Sequence, residues 1–87
     1  MIFVRSSRFA KEFKKQKKDI QNKVLERLAL FTVNQFDPLL NNHKLRYEYG
    51  EYRSINVTGD FRIVYRMVDT RTCFLFRIGN HQDLFGL

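Results

Sequence analysis

Residues 51–66 read EYRSINVTGDFRIVYR, and the fold turns on this stretch. Ile55 and Val57 alternate with Ser54 and Asn56 on one run. Phe61, Ile63, Tyr65 and Met67 alternate with Arg62, Val64, Arg66 and Val68 on the next. A period of two predicts two strands, each with one face to a core and one away from it. Thr58-Gly59-Asp60 separates the runs, and Gly59 can adopt the positive φ of a short hairpin turn. The outward face then carries Asn56, Arg62 and Arg66, with Asp60 at the turn: a polar, cationic platform on a rigid hairpin.

After the hairpin, Asp69–Thr72 reads as a turn and Cys73–Ile78 as a further strand that Gly79 ends, leaving a tail from Asn80 to Leu87. Before it, Asp37-Pro38 stops a helix and opens a connection to Gly50, rich in Asn and Tyr. Its length marks it as a candidate functional loop, and it holds His43, Lys44 and Arg46.

Nearer the N-terminus the period becomes helical. Phe9, Phe13, Ile20 and Val24 fall near one face, while Lys11, Lys14, Lys15 and Lys18 fall on the opposite one. Ser6 or Ser7 can cap the first helix, and Asp19 a second after a break near Lys17. A helical hairpin is the expectation, one long bent helix the alternative. A short β-like segment, Ile2–Arg5, precedes it. The order is β-αα-βββ. This is an α+β domain, residues 1–87, with a helical hairpin packed on one face of an antiparallel sheet.

The totals narrow the function. A net charge of +7 favours an anionic partner, nucleic acid before membrane. No apolar run approaches a bilayer span, and Ile2-Phe3-Val4 is too short for a signal peptide. Cys73 is the sole cysteine, which excludes an intrachain disulfide, fits a reducing cytoplasm, and suggests a buried small hydrophobe rather than a nucleophile. The lysine face by itself supports only non-specific attraction to phosphates.

His43 and His81 are the first candidates for proton transfer, since only histidine has an unperturbed pKa near neutrality. If the last strand pairs beside residues 61–68, the sheet can bring both to one rim. Two histidines with no cysteine or carboxylate at ligand spacing make a poor metal site, and no cofactor motif is present. Arg62, Arg66 and Arg77 offer planar guanidinium groups suited to phosphate. Phe85 is either a tail anchor or a stacking platform for a base.

Four pieces occur in order: His43-Lys44-Leu45, Gly50-x-Tyr52-Arg53, Asp60-Phe61-Arg62-Ile63-Val64-Tyr65, and Ile78-Gly79-Asn80-His81-x-x-Leu84-Phe85-Gly86. Together they resemble the RelE/YafQ superfamily of bacterial toxins, most of all the YafQ branch. The resemblance implies a ribosome-dependent mRNA endoribonuclease, active without a metal or other cofactor and neutralised by a cognate antitoxin. His43, Asp60, His81 and Phe85 fall on the branch's functional positions. Phe61 stands where tryptophan is usual. Asn56 departs from a histidine, and so lacks a group able to exchange protons near neutral pH. Arg62 matches instead the phosphate-facing arginine of RelE-type members.

What this resemblance implies is attack of a ribose 2′-hydroxyl on the adjacent phosphorus. His81 would be the acid and His43 or Asp60 the base. Arg62 would stabilise transition-state charge with help from Arg53 or Arg77, Asn56 would position substrate, and Phe85 would stack a base. Two other readings remain. One is a ParE-like toxin that binds DNA gyrase, against which His43, Asp60 and His81 argue. The other is a basic RNA-binding module without catalysis.

Overall fold

A computed structural model describes residues 1–86; Leu87, the last residue of the expected domain, lies outside the described residues. Ser6 begins the helical part by accepting from Phe9 N–H at 2.9 Å, which makes it the cap of α1, Ser7–Lys14. Helix α2 spans Lys18–Val33, so the helical hairpin forms rather than one bent helix. Gln21 spans the break: its Nε2 donates to the carbonyls of Phe13 and Gln16, at 3.2 and 3.1 Å. Asp19 is not the cap of α2. It lies inside the first turn and accepts from Ile20 N–H, while Lys17 holds the cap position with no side-chain bond. The helix stops at Val33, before Asp37-Pro38; Asp37 caps a single 3₁₀ turn, Pro38–Leu40, by accepting from Leu39 N–H.

The strands are β1 (Ile2–Arg5), β2 (His43–Lys44), β3 (Arg53–Thr58), β4 (Phe61–Met67) and β5 (Thr72–Asn80), in the order β1-β5-β4-β3-β2. Strands β3 and β4 form the expected hairpin, with Gly59 at φ 52° in its turn. The sheet is mixed rather than antiparallel, because β1 runs parallel to β5 at its edge. Residue alternation carries no information on strand direction, so this pairing was not legible in the sequence.

The core lies between the sheet and the two helices. Phe9, Val24 and Phe31 meet Ile55, Val57, Ile63, Tyr65, Leu75 and Ile78 there, and Phe31 packs edge-on against Tyr65 at 4.9 Å. Burying each such side chain is worth roughly 1.5–3 kcal/mol, which holds the helices on the sheet. Cys73 is buried in the same core, and desolvation pushes its thiol up to about 12, so it acts as an apolar group.

Strand β5 does not end at Gly79. It runs to Asn80, and the chain then turns into a short helix, α3, His81–Phe85, where a plain tail was expected. Asn80 caps α3 by accepting from Asp83 N–H at 2.7 Å. The helix folds back over Gly79 so closely that a Cβ there would lie 3.2 Å from Asp83 Cβ. Glycine at this position lets His81 and Phe85 sit over the end of the sheet.

Candidate active site

Strand β2, the start of β4 and both ends of α3 surround an open cavity of about 490 Å³. His43, Arg62, His81 and Phe85 line it, with Asn41, Leu45, Arg46, Tyr47 and Tyr49 from the loop segments around β2. His43 is delivered by the pairing of β2 with β3, which sets it opposite Ser54. Asn41 adopts a left-handed backbone at φ 44°, tolerable for Asn, and its carbonyl meets His43 Nδ1 at 2.8 Å. A carbonyl only accepts, so Nδ1 holds a proton and Nε2 of the neutral ring is left with a lone pair. His81, at the first position of α3, lies one helical turn from Phe85, with ring centroids 4.9 Å apart.

Arg62 faces outward from β4, directly across from Asn56 on β3. Its Nη1 donates to Asn56 Oδ1, which restricts the guanidinium beside the cavity. Asn56 therefore reaches the site through Arg62. Tyr49 lies against the edge of Phe85, with ring centroids 5.7 Å apart, and donates from its hydroxyl to the Leu84 carbonyl at 3.3 Å. That pair ties the loop between β2 and β3 to α3.

Besides Asn56, four residues expected at the site are not brought into the cavity lining. Asp60 stands exposed at the β3–β4 turn. Phe61, on the face opposite Arg62, packs against the core. Arg53 donates to Asn42 Oδ1 at 2.8 Å and lies over the Phe36 ring, since its cross-strand partner Tyr65 faces the core. Arg77 is buried and paired with Glu12 of α1 at 2.7 Å. A bulge in β5 sets the register here: Val64 pairs with Arg77 and Tyr65 with Leu75, which leaves Phe76 as an extra residue. Ile78 then takes a core position, while Arg77, across from Val64, reaches Glu12 beside the part of β5 that β1 leaves uncovered. Glu12 accepts there from both Arg77 and Ile78 N–H, which satisfies a donor on the part of β5 that β1 does not cover.

The outward face is also less polar than alternation suggests. Tyr52 stacks on Phe76 at 4.5 Å, and Arg66 lies over the rings of Tyr52 and Phe74 at 5.8 and 5.9 Å. The lining residues that sequence reading did not single out, Asn41, Leu45, Tyr47 and Tyr49, had their signal in the length and the Asn- and Tyr-rich character of their loop. Among the described residues, no group of three or more metal-ligating side chains is present, and no helix is long and apolar enough to cross a membrane.

Comparison with known proteins adds a family. No curated protein sequence matches the chain. Among solved structures, YafQ from E. coli strain BL21(DE3) superposes with a TM-score of 0.82 at 24% identity, covering 97% of each chain. YafQ in the E. coli DinJ-YafQ toxin-antitoxin complex superposes with a TM-score of 0.79 at 24% identity, covering 97% of this chain and 96% of that one. A YoeB/ParE toxin from Agrobacterium tumefaciens reaches 0.79 at 16% identity, covering 93% of this chain and 99% of that one. These likenesses show a shared fold. The sequence profile described as bacterial toxin of type II toxin-antitoxin system, YafQ, matches residues 1–86. The chain belongs to the YafQ family of bacterial type II toxin–antitoxin toxins.

Proposed function

We propose that this toxin is an endoribonuclease, acting as a single cytoplasmic domain, that cleaves mRNA on the ribosome by attack of a ribose 2′-hydroxyl. The observation that carries the reading is the convergence of two imidazoles, a guanidinium and an aromatic ring on one open cavity. His43 is the base. Its Nδ1–H contact with Asn41 leaves Nε2 to take the 2′-hydroxyl proton, whereas Asp60 is outside the lining. The 2′-oxygen bonds to phosphorus as the P–O5′ bond breaks, and the His81 imidazolium gives its proton to the departing O5′. The products are a 2′,3′-cyclic phosphate and a 5′-hydroxyl. DNA, which lacks the nucleophile, is inert.

Arg62, held by Asn56, stabilises the charge that builds on the equatorial phosphate oxygens. Phe85 supports a flanking base by stacking. Every step uses side-chain chemistry alone. The protein partner is a cognate antitoxin, a reading supported by the family and by the DinJ-YafQ complex.

The test is cleavage of a ribosome-bound message by wild type and His81→Ala, beside a gyrase supercoiling assay. General acid–base help is worth roughly 10²–10⁴-fold, so His81→Ala should lose activity at least a hundredfold while circular dichroism stays native. Undiminished cleavage by His81→Ala sinks the assignment. Inhibited supercoiling without cleavage favours a gyrase-binding toxin instead.

A further inference from the structure

Tyr47 combines two unfavourable features. Its backbone is left-handed at φ 58°, where a bulky side chain is an outlier, and its side chain is 94% exposed. Glycine would remove the strain, and a polar residue the exposed ring. Neighbouring hydrogen bonds enforce the conformation: Gly50 N–H donates to the Tyr47 carbonyl at 2.9 Å, Tyr49 N–H to Arg46 at 3.2 Å, and Leu45 N–H to Tyr52 at 3.1 Å. The ring is therefore presented to solvent by a loop closed on both sides of it. It lines the catalytic cavity and an adjoining hollow of about 220 Å³, and Phe85 lines both as well. Arg46, beside Tyr47 in the chain, also lines both.

Two aromatic rings with a guanidinium beside them suit a strand that alternates flat bases with phosphates. We propose that Tyr47 stacks on a nucleobase of single-stranded RNA next to the cleaved bond, and that the left-handed backbone is retained because it holds the ring at the cavity mouth. This rests on the endoribonuclease reading. It adds a substrate-positioning residue outside the proton-transfer groups.

The experiment combines Tyr47→Gly and Tyr47→Phe with a message in which one abasic nucleotide is moved through the positions flanking the cut. Tyr47→Phe should cleave like wild type. Tyr47→Gly should melt at the same temperature or higher, because strain is relieved, yet cleave about tenfold more slowly, within the range of one base–aromatic stack. At one abasic position wild type should lose a similar factor and Tyr47→Gly should lose nothing more, since the partner ring is already gone. Wild-type cleavage by Tyr47→Gly, or an equal abasic loss in both proteins, overturns the inference and leaves the nuclease reading standing.

Affinity for a labelled single-stranded oligoribonucleotide, with and without the abasic site, separates the two failures. If wild type binds but does not cleave, the nuclease reading fails. The stacking role then holds if Tyr47→Gly weakens binding only to the intact strand, and fails if the variants bind alike. A wild type that neither binds nor cleaves overturns both.

Discussion

Arg62 on β4 donates to the side-chain oxygen of Asn56, its direct cross-strand partner on β3, so Asn56 orients the guanidinium that we propose acts on the phosphate. Asn56 has no proton to exchange near neutral pH. In the structure it holds Arg62. We therefore expect Asn56→Ala to slow single-turnover cleavage by the worth of one hydrogen bond, roughly 0.5–1.5 kcal/mol. Asn56→His should change the rate less than tenfold, about 1.4 kcal/mol. A larger gain for the histidine variant across a pH series would mean that a proton-transfer group had been restored.

Arg62 and the helical lysines should separate kinetically. Arg62→Ala is expected to lower the cleavage rate far more than ribosome affinity, because a contact made to transition-state charge is worth little in the ground state. Lys11, Lys14, Lys15 and Lys18 are all exposed. Replacing the four together should weaken binding and flatten its salt dependence. Binding titrations at several salt concentrations, run beside single-turnover rates, distinguish the two.

We expect Arg77 to act in stability rather than in chemistry. Its side chain is 8% exposed and donates from both Nε and Nη2 to Glu12. Arg77→Ala leaves Glu12 with the Ile78 N–H and the more distant Arg8, and should destabilise the fold by roughly 1.5–3 kcal/mol in urea denaturation. The rate per folded molecule should stay near wild type. A hundredfold loss of rate with unchanged stability would return Arg77 to the site.

Cys73 sets an alkaline limit. The folded thiol is pushed up to about 12, whereas an unfolded cysteine titrates near 8.5. Between those values the unfolded chain has lost the proton that the folded chain keeps. The unfolded state binds fewer protons there, so stability falls as pH rises, by up to about 1.4 kcal/mol per unit. Denaturation midpoints at pH 8 and pH 10 should differ more for wild type than for Cys73→Ala. Native Cys73 should also resist thiol reagents that label the unfolded chain.

Local periodicity was enough to read the elements and their faces. Alternation over 54–67 set the β3–β4 hairpin and the faces of Ile55, Ile63, Tyr65 and Arg62, because successive strand side chains must point oppositely. The helical period set α1 and α2 and left the lysines outside. The histidines were legible as chemistry, for only their side chains titrate near neutrality. Only the tertiary structure decided which candidates meet. A single extra residue, Phe76, put Ile78 in the core and Arg77 across from Val64, because a bulge changes side-chain direction without changing composition, and the packing of α1 beside β5 then paired Arg77 with Glu12. The pairing of β2 with β3 and the close packing of α3 over Gly79 brought His43 and His81, 38 positions apart, to one cavity. Asp60 and Phe61, adjacent to Arg62, stayed out of it, since one lies at the turn and the other on the opposite face of the strand. Proximity along the chain says nothing about which side of a sheet a group will reach; pairing register and the packing of the next helix decide that.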